Sequence, residues 1–182
     1  MRKTIIATAL LLASAPSMAA INTNSQSTMS NFDYDYIEAR IGISPVTYGA
    51  SISKSIHPNA HVIGKIDSEF DYDYDAAIGV GFHAPLNNWA DFTGEMLFHV
   101  NDRTDRKSED TGMEMNIGVR QWLGPQLEVG GKIGYISIGK KEDWIASAQA
   151  RFHATELFSI GAEARVNDIY GDQLMFTARF KY

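Results

Sequence analysis

Period-two alternation of apolar and polar residues runs through most of this chain, and it is plainest in the last ten residues. Leu174, Phe176, Ala178, Phe180 and Tyr182 share one face, while Gln173, Met175, Thr177, Arg179 and Lys181 share the other. Side chains of a strand point alternately to opposite faces, so this pattern predicts a strand with two unlike surfaces. The two preceding segments repeat it. Phe158, Ile160, Ala162, Ala164 and Val166 alternate with Ser159, Gly161, Glu163 and Arg165; Trp144, Ala146, Ala148, Ala150 and Phe152 alternate with Ser147, Gln149, Arg151 and His153. Working backwards gives ten predicted strands, at about 34–44, 47–56, 61–71, 75–84, 89–100, 112–123, 126–138, 143–153, 157–167 and 172–182. Each has roughly the 9–11 residues that a tilted strand needs to cross a bilayer.

The links between them alternate in character. His57-Pro58-Asn59, Pro85-Leu86-Asn87-Asn88, Gly124-Pro125 and Ala154-Thr155-Glu156 are short turns after every second strand. The intervening links, Asp71–Asp75, Asn101–Gly112, Gly139–Asp143 and Asn167–Asp172, are expected to be longer or more charged. Short turns at one end and longer loops at the other is the arrangement of bacterial outer-membrane barrels, with the termini and turns in the periplasm. Ser44-Pro45-Val46 is short for the loop end. If the two strands flanking it were one distorted element, eight strands would be the alternative count.

The predicted fold is therefore all-β: a closed antiparallel up-and-down transmembrane barrel of ten strands. The polar face decides in favour of a lumen over a solvent-facing sheet. It carries Glu38, Arg40, Lys65, Asp67, Glu69, Asp91, Glu95, Glu114, Arg120, Glu128, Lys132, Arg151, Glu163, Arg165, Arg179 and Lys181, acids and bases in equal number. Glycines recur on the same face, at Gly42, Gly49, Gly79, Gly81, Gly118, Gly130, Gly134 and Gly161, which leaves space for long side chains inside a narrow ring. Aromatic residues fall near predicted strand ends: Trp89, Trp122, Phe158, Phe180 and Tyr182 at the turn end, Phe70, Tyr135 and Trp144 at the loop end. Two such belts mark membrane interfaces. Lys54 has lipid-facing parity but lies near the turn end, where its stem can snorkel. Glu38, Arg40, Asp67, Glu95, Arg120, Lys132 and Glu163 are the candidate lumen-lining ring of mixed sign near mid-height.

The N-terminus changes the picture of location. Arg2 and Lys3, an apolar run from Ile5 to Ala13, and Ser17-Met18-Ala19 have the order of a cleaved signal peptide over residues 1–19. Residues 20–30 are polar and aperiodic and are expected to be flexible, and the barrel occupies 31–182. No run approaches the roughly 20 apolar residues of a transmembrane helix, and mean hydropathy is slightly negative, a test to which one-sided strands are insensitive. The formal charge of −6 falls to −8 when Arg2 and Lys3 leave with the signal, which disfavours nucleic acid as a partner. With no cysteine, an exported domain must be held together without disulfides.

The ending LMFTARFKY resembles the C-terminal signature of Gram-negative outer-membrane proteins, through Phe176, Ala178, Phe180 and Tyr182. With the signal peptide, the mature chain resembles the small outer-membrane barrel group that includes the OmpA-like and OmpX-like proteins. The resemblance covers every strand in pattern but only the last as a motif. It implies insertion by the barrel-assembly machinery, with Phe176, Phe180 and Tyr182 as the assembly signal, and a monomer in contact with outer-membrane lipid and lipopolysaccharide.

Candidate chemistry is sparse. None of His57, His61, His83, His99 and His153 has zinc-ligand spacing, and His57 and His61, flanking a turn, are expected at the turn surface. Outer-membrane proteases use His with Asp at their rim, where this chain has His99, Asp102 and Asp105 in a charge-rich loop. Lipid A deacylases carry His-x-Ser, for which His153-Ala154-Thr155 is a poor substitute. No nucleophile, base and orienting group assemble, so no catalytic residue, metal or cofactor is expected. Phe32-Asp33-Tyr34-Asp35-Tyr36 and Phe70-Asp71-Tyr72-Asp73-Tyr74-Asp75 are expected to be interface girdles of aromatics alternating with solvated acids rather than cation sites. The expected function is a narrow pore or structural membrane protein. The alternatives are an adhesin using the loops at 71–75 and 101–112 and, behind it, a lipid-modifying or proteolytic barrel.

Overall fold

The computed structural model describes residues 30–69, 73–102 and 110–182. The signal peptide expected over 1–19 lies outside the described residues, as does nearly all of the segment 20–30. Ten strands follow one another: β1 (Tyr36–Ile43), β2 (Val46–His57), β3 (Ala60–Ser68), β4 (Tyr74–Asn87), β5 (Ala90–Asp102), β6 (Asp110–Trp122), β7 (Leu127–Ile138), β8 (Lys141–His153), β9 (Phe158–Asp168) and β10 (Gly171–Lys181). Each pairs antiparallel with its sequence neighbours, and β10 returns to β1 to close the barrel. The seam has Ile37 opposite Phe180, Ala39 opposite Ala178 and Ile41 opposite Phe176. Closure leaves no unpaired edge, which is what a sheet needs in a solvent without hydrogen-bonding partners. β1 and β2 are separate strands joined by Ser44-Pro45, whose peptide bond is cis, so the count is ten.

The register explains the two faces. Ile37 pairs with Ile52, Ile52 with Gly64, Gly64 with Ile78, Ile78 with Phe98 and Phe98 with Met113, an apolar row across six strands. One residue along, Glu38, Ser51, Lys65, Ala77 and His99 form the opposing row. Burial is inverted relative to a water-soluble protein. Ile78 is 68% exposed and Ile37 52%, whereas Arg40, Asp91, Glu128 and Arg151 are buried. An exposed apolar surface of this extent, supplied by every strand, has to be covered, and bilayer hydrocarbon is the cover that a closed barrel fits.

The two ends differ less than the sequence predicts. The turn end is formed by the links at 58–59, 88–89, 123–126 and 154–157, the loop end by those at 44–45, 69–73, 103–109, 139–140 and 169–170. Only 69–73 and 103–109 are longer than the turn-end links, because several strands run further than their hydrophobic pattern. Gly139 and Gly171, both at positive φ, and Asn167 (φ 59°) allow the tight reversals at two other loop-end links, 139–140 and 169–170. The link at 169–170 also folds inward, where Ile169 and Tyr170 pack with Ile136, Ile138 and Ile145.

β1 begins at Tyr36, not at residue 34. Tyr36 faces Lys181 on one side and Ser53 on the other, and β10 ends there. Beyond it the Tyr182 amide still donates to the Asp35 carbonyl, but on the β2 side the Asp35 carboxylate, not its backbone, takes the Ser55 amide, so the ladder stops and the residues before Asp35 leave the wall. They turn into the mouth of the barrel instead. The expected interface girdle at Phe32 and Tyr34 is therefore not formed, since both rings are buried. The residues of the second repeat, 70–72, lie outside the described residues.

Candidate functional site: the charged lumen and its mouth

Tilted antiparallel strands send every second side chain inward, so the lumen is built from ten short columns of alternate residues. Glycine makes the close packing possible. A Cβ on Gly79 would lie 2.0 Å from the Met96 carbonyl oxygen and 2.8 Å from Leu97, the fully buried residue opposite it.

All seven residues of the expected ring sit on lumen-facing positions, but at several levels and with partners outside the set. Arg40 pairs with Asp67 at 2.8 Å and Lys132 with Glu95 at 2.7 Å. Lys65 approaches the same Glu95 at 3.9 Å. Glu38 instead accepts hydrogen bonds from Arg151 Nη2 (2.6 Å) and Arg179 Nε (2.8 Å). Arg120 donates to Glu128 (2.8 Å), which also takes a bond from His153 (3.0 Å). Glu163 pairs with Arg165, which reaches on to Asp168. Charges placed in a low-dielectric enclosure are tolerated when paired and hydrogen-bonded in this way.

The histidines are mostly lumen residues. His57 is exposed at the turn, as expected, but His61 is buried, because it shares the inward parity of Lys65 and Asp67. His99 bridges Asp75 and Glu114, each 3.0 Å from one ring nitrogen. Its expected rim companion Asp105 lies outside the described residues. Trp122 likewise departs from the expected aromatic belt: with the parity of Arg120, it faces the mouth and packs against His153 and Phe32. Phe176, Phe180 and Tyr182 are exposed on the lipid side, with Phe180 against Phe158 and the Tyr182 hydroxyl donating to the Ser53 carbonyl. Lys54, also outward, reaches Asp35 at 2.9 Å and lies 5.0 Å above the Tyr182 ring. Burial alone would raise the Asp35 carboxyl, but bonds from Lys54 and the Ser55 amide outweigh it and hold it below its usual range.

A cavity of about 50 Å³ lies toward the loop end among Lys65, Asp75, His99, Glu114, Lys132 and Glu163, under Ile169 and Tyr170. It has room for a few waters and for no organic solute. Among the described residues no group of three or more histidines and carboxylates is placed to hold a metal ion.

At the turn end the residues before β1 pack into the mouth of the barrel. Ser30 donates to Asp91, Asn31 Nδ2 to the Asn88 carbonyl (2.8 Å), and Tyr34 Oη to Asp91 (2.9 Å). The Tyr34 ring stacks on His83 with centroids 3.8 Å apart and on His61 at 4.7 Å; Phe32 stacks on Trp122 at 5.4 Å. The Arg120 guanidinium lies over both inserted rings, at 4.7 and 4.8 Å. Burial pushes the Tyr34 phenol up, so it remains a hydrogen-bond donor to Asp91 throughout the physiological range.

No family model matches the chain, and no curated protein does. Similar solved structures include a de novo designed transmembrane β-barrel (14% identity, 85% of this chain and 100% of that chain, TM-score 0.44). The NanC porin is 10% identical over 81% of this chain and 98% of its own, with a TM-score of 0.49. The outer membrane protein Omp33 of Acinetobacter baumannii is 9% identical over 82% of this chain and 99% of its own, with a TM-score of 0.44.

Proposed function

We propose that this chain is an integral protein of the Gram-negative outer membrane whose barrel is a narrow polar path, shut in the state described here, for water and small ions. The turn end and N-terminus would then lie in the periplasm, and the loop end would face outward. The observation that carries this proposal is the pairing of an exposed apolar exterior with a lumen lined by charged groups around a cavity of about 50 Å³. Ten strands enclose slightly more than the eight that side chains alone can fill and far less than the porin channels of sixteen or more. The signal-like N-terminus and the Phe176, Phe180 and Tyr182 pattern support export, assembly by the barrel machinery as one of the small outer-membrane barrels, and a monomer bathed in lipid and lipopolysaccharide.

Purified full-length barrel in liposomes tests this. Sugars should produce no osmotic swelling, and planar bilayers in potassium chloride should show rare, small openings. Rapid swelling in a disaccharide would overturn the narrow path. A purely structural role is the second reading, favoured by the double occupancy of Glu38 by Arg151 and Arg179 and of Glu128 by Arg120 and His153. The loops expected to serve an adhesin, 71–75 and 101–112, fall partly outside the described residues.

A further inference from the structure

We infer that residues 30–34 form a releasable plug, and that the turn-end mouth is a binding site built to hold this chain's own Phe32-Asp33-Tyr34. The inference rests on the narrow-path proposal and adds the element that closes it.

The mouth is specific for what it holds. Two rings enter, each with an aromatic floor, Trp122 under Phe32 and His83 with His61 under Tyr34. One guanidinium, Arg120, covers both and also donates to Glu128, so the plug caps that ion pair. One carboxylate, Asp91, receives both Tyr34 and Ser30. The backbone adds an anchor, because Ser53 Oγ donates to the Tyr34 carbonyl at 2.6 Å. Asp33, between the rings, points outward and caps the Asp35 amide at 3.0 Å, which sets the bend where the segment leaves β1.

The attachment is also weak enough to come away. Residues 30–34 belong to no strand, so no ladder of backbone hydrogen bonds holds them, in contrast to the barrel wall; the last backbone bond to the wall is from Tyr182 to the Asp35 carbonyl. Elements that move are drawn from such lightly bonded segments. A recess of about 440 Å³ bounded by Trp122, Gln126, His153 and Lys181 opens beside the Phe32 stack, so solvent can replace the ring without disturbing the strands.

The test is single-channel recording of the full chain in planar bilayers. The double variant Phe32→Ala, Tyr34→Ala should raise open probability about tenfold or more over wild type, the effect of losing stacked-ring contacts. It should keep the barrel's heat-sensitive migration on gels. A second variant, Asn31→Cys with Asn88→Cys, pins the plug, since the Asn31 side chain already touches the residue 88 backbone. Oxidised, it should be silent; reduced, it should gate as wild type does. An intact double-alanine barrel that opens no more often than wild type overturns the plug, and so does an oxidised pair that still conducts. The narrow-path proposal fails separately. If the double-alanine barrel stays silent even with Glu95→Ala and Lys132→Ala added to clear mid-lumen, there is no path to close. If Glu95→Ala, Lys132→Ala alone conducts freely with the plug pinned, the path stands and the plug closes nothing.

Discussion

Replacing Glu38 with alanine should cost about 3–5 kcal/mol of unfolding free energy, the loss expected when one member of a buried charge cluster is removed. Glu38 is 5% exposed and is the acceptor for both Arg151 and Arg179. Without it, two guanidinium groups face each other inside the barrel. Arg151 has no other way out, because its Nε and Nη1 find no acceptor among the described residues. The penalty comes from the stranded cations more than from the lost bonds. Removing those cations as well, with Arg151→Leu and Arg179→Leu in the alanine background, should therefore recover much of the loss. Urea unfolding in lipid vesicles measures both. The Lys54–Asp35 pair gives the scale by contrast. It is nearly as short but its lysine is exposed to solvent, so Lys54→Ala should change stability far less than Glu38→Ala does.

An arginine introduced at Ile117 should cost about 2–4 kcal/mol, whereas one at Leu127 on the neighbouring strand should cost at most about 1 kcal/mol. Both side chains are exposed on the outer face. Ile117 lies midway along β6 and Leu127 is the first residue of β7, at the turn end. In water the two substitutions would be equally harmless, since each places a charge on an exposed position. Only a hydrocarbon exterior makes depth matter. Equal, small effects at both sites, measured by the same urea titration, would mean that the exterior meets water.

Much of this was legible in the sequence, because a strand with one lipid face and one lumen face writes its orientation at every residue. Ten segments are visible to within a few residues, and the inward positions of Glu38, Lys65, Glu95, Arg120 and Lys132 follow from parity. Two inward residues were hidden by their neighbourhood rather than by the pattern. His61 lies close to the Pro58-Asn59 turn and Trp122 close to a strand end, which suggested a surface and a belt. Their parity with Lys65 and Arg120 pointed to the lumen. The pairing itself was not legible. Glu38 meets Arg151 and Arg179 from 113 and 141 residues away, a contact fixed by the closure of β1 on β10 and the tilt of the strands. The plug was concealed for a different reason. Phe32, Tyr34 and Tyr36 continue the alternation of β1, and only the end of β10 at Lys181, with the Ser55 amide of β2 taken by the Asp35 carboxylate, shows that the first two leave the wall.

The inside-out arrangement of the wall is tested most directly by photolabelling the unmodified protein in its bilayer. A diazirine carried on lipid tails yields a carbene that inserts into whatever side chain it touches, and mass spectrometry locates the insertion. Along β2 and β6 the label should fall on Tyr48, Ala50, Ile52, Met115, Ile117 and Val119. It should miss Thr47, Ser51, Ser53, Asn116 and Arg120, which are buried in the lumen. Labelling of that second set, or label spread evenly over both, would contradict a barrel with lipid outside and charge within.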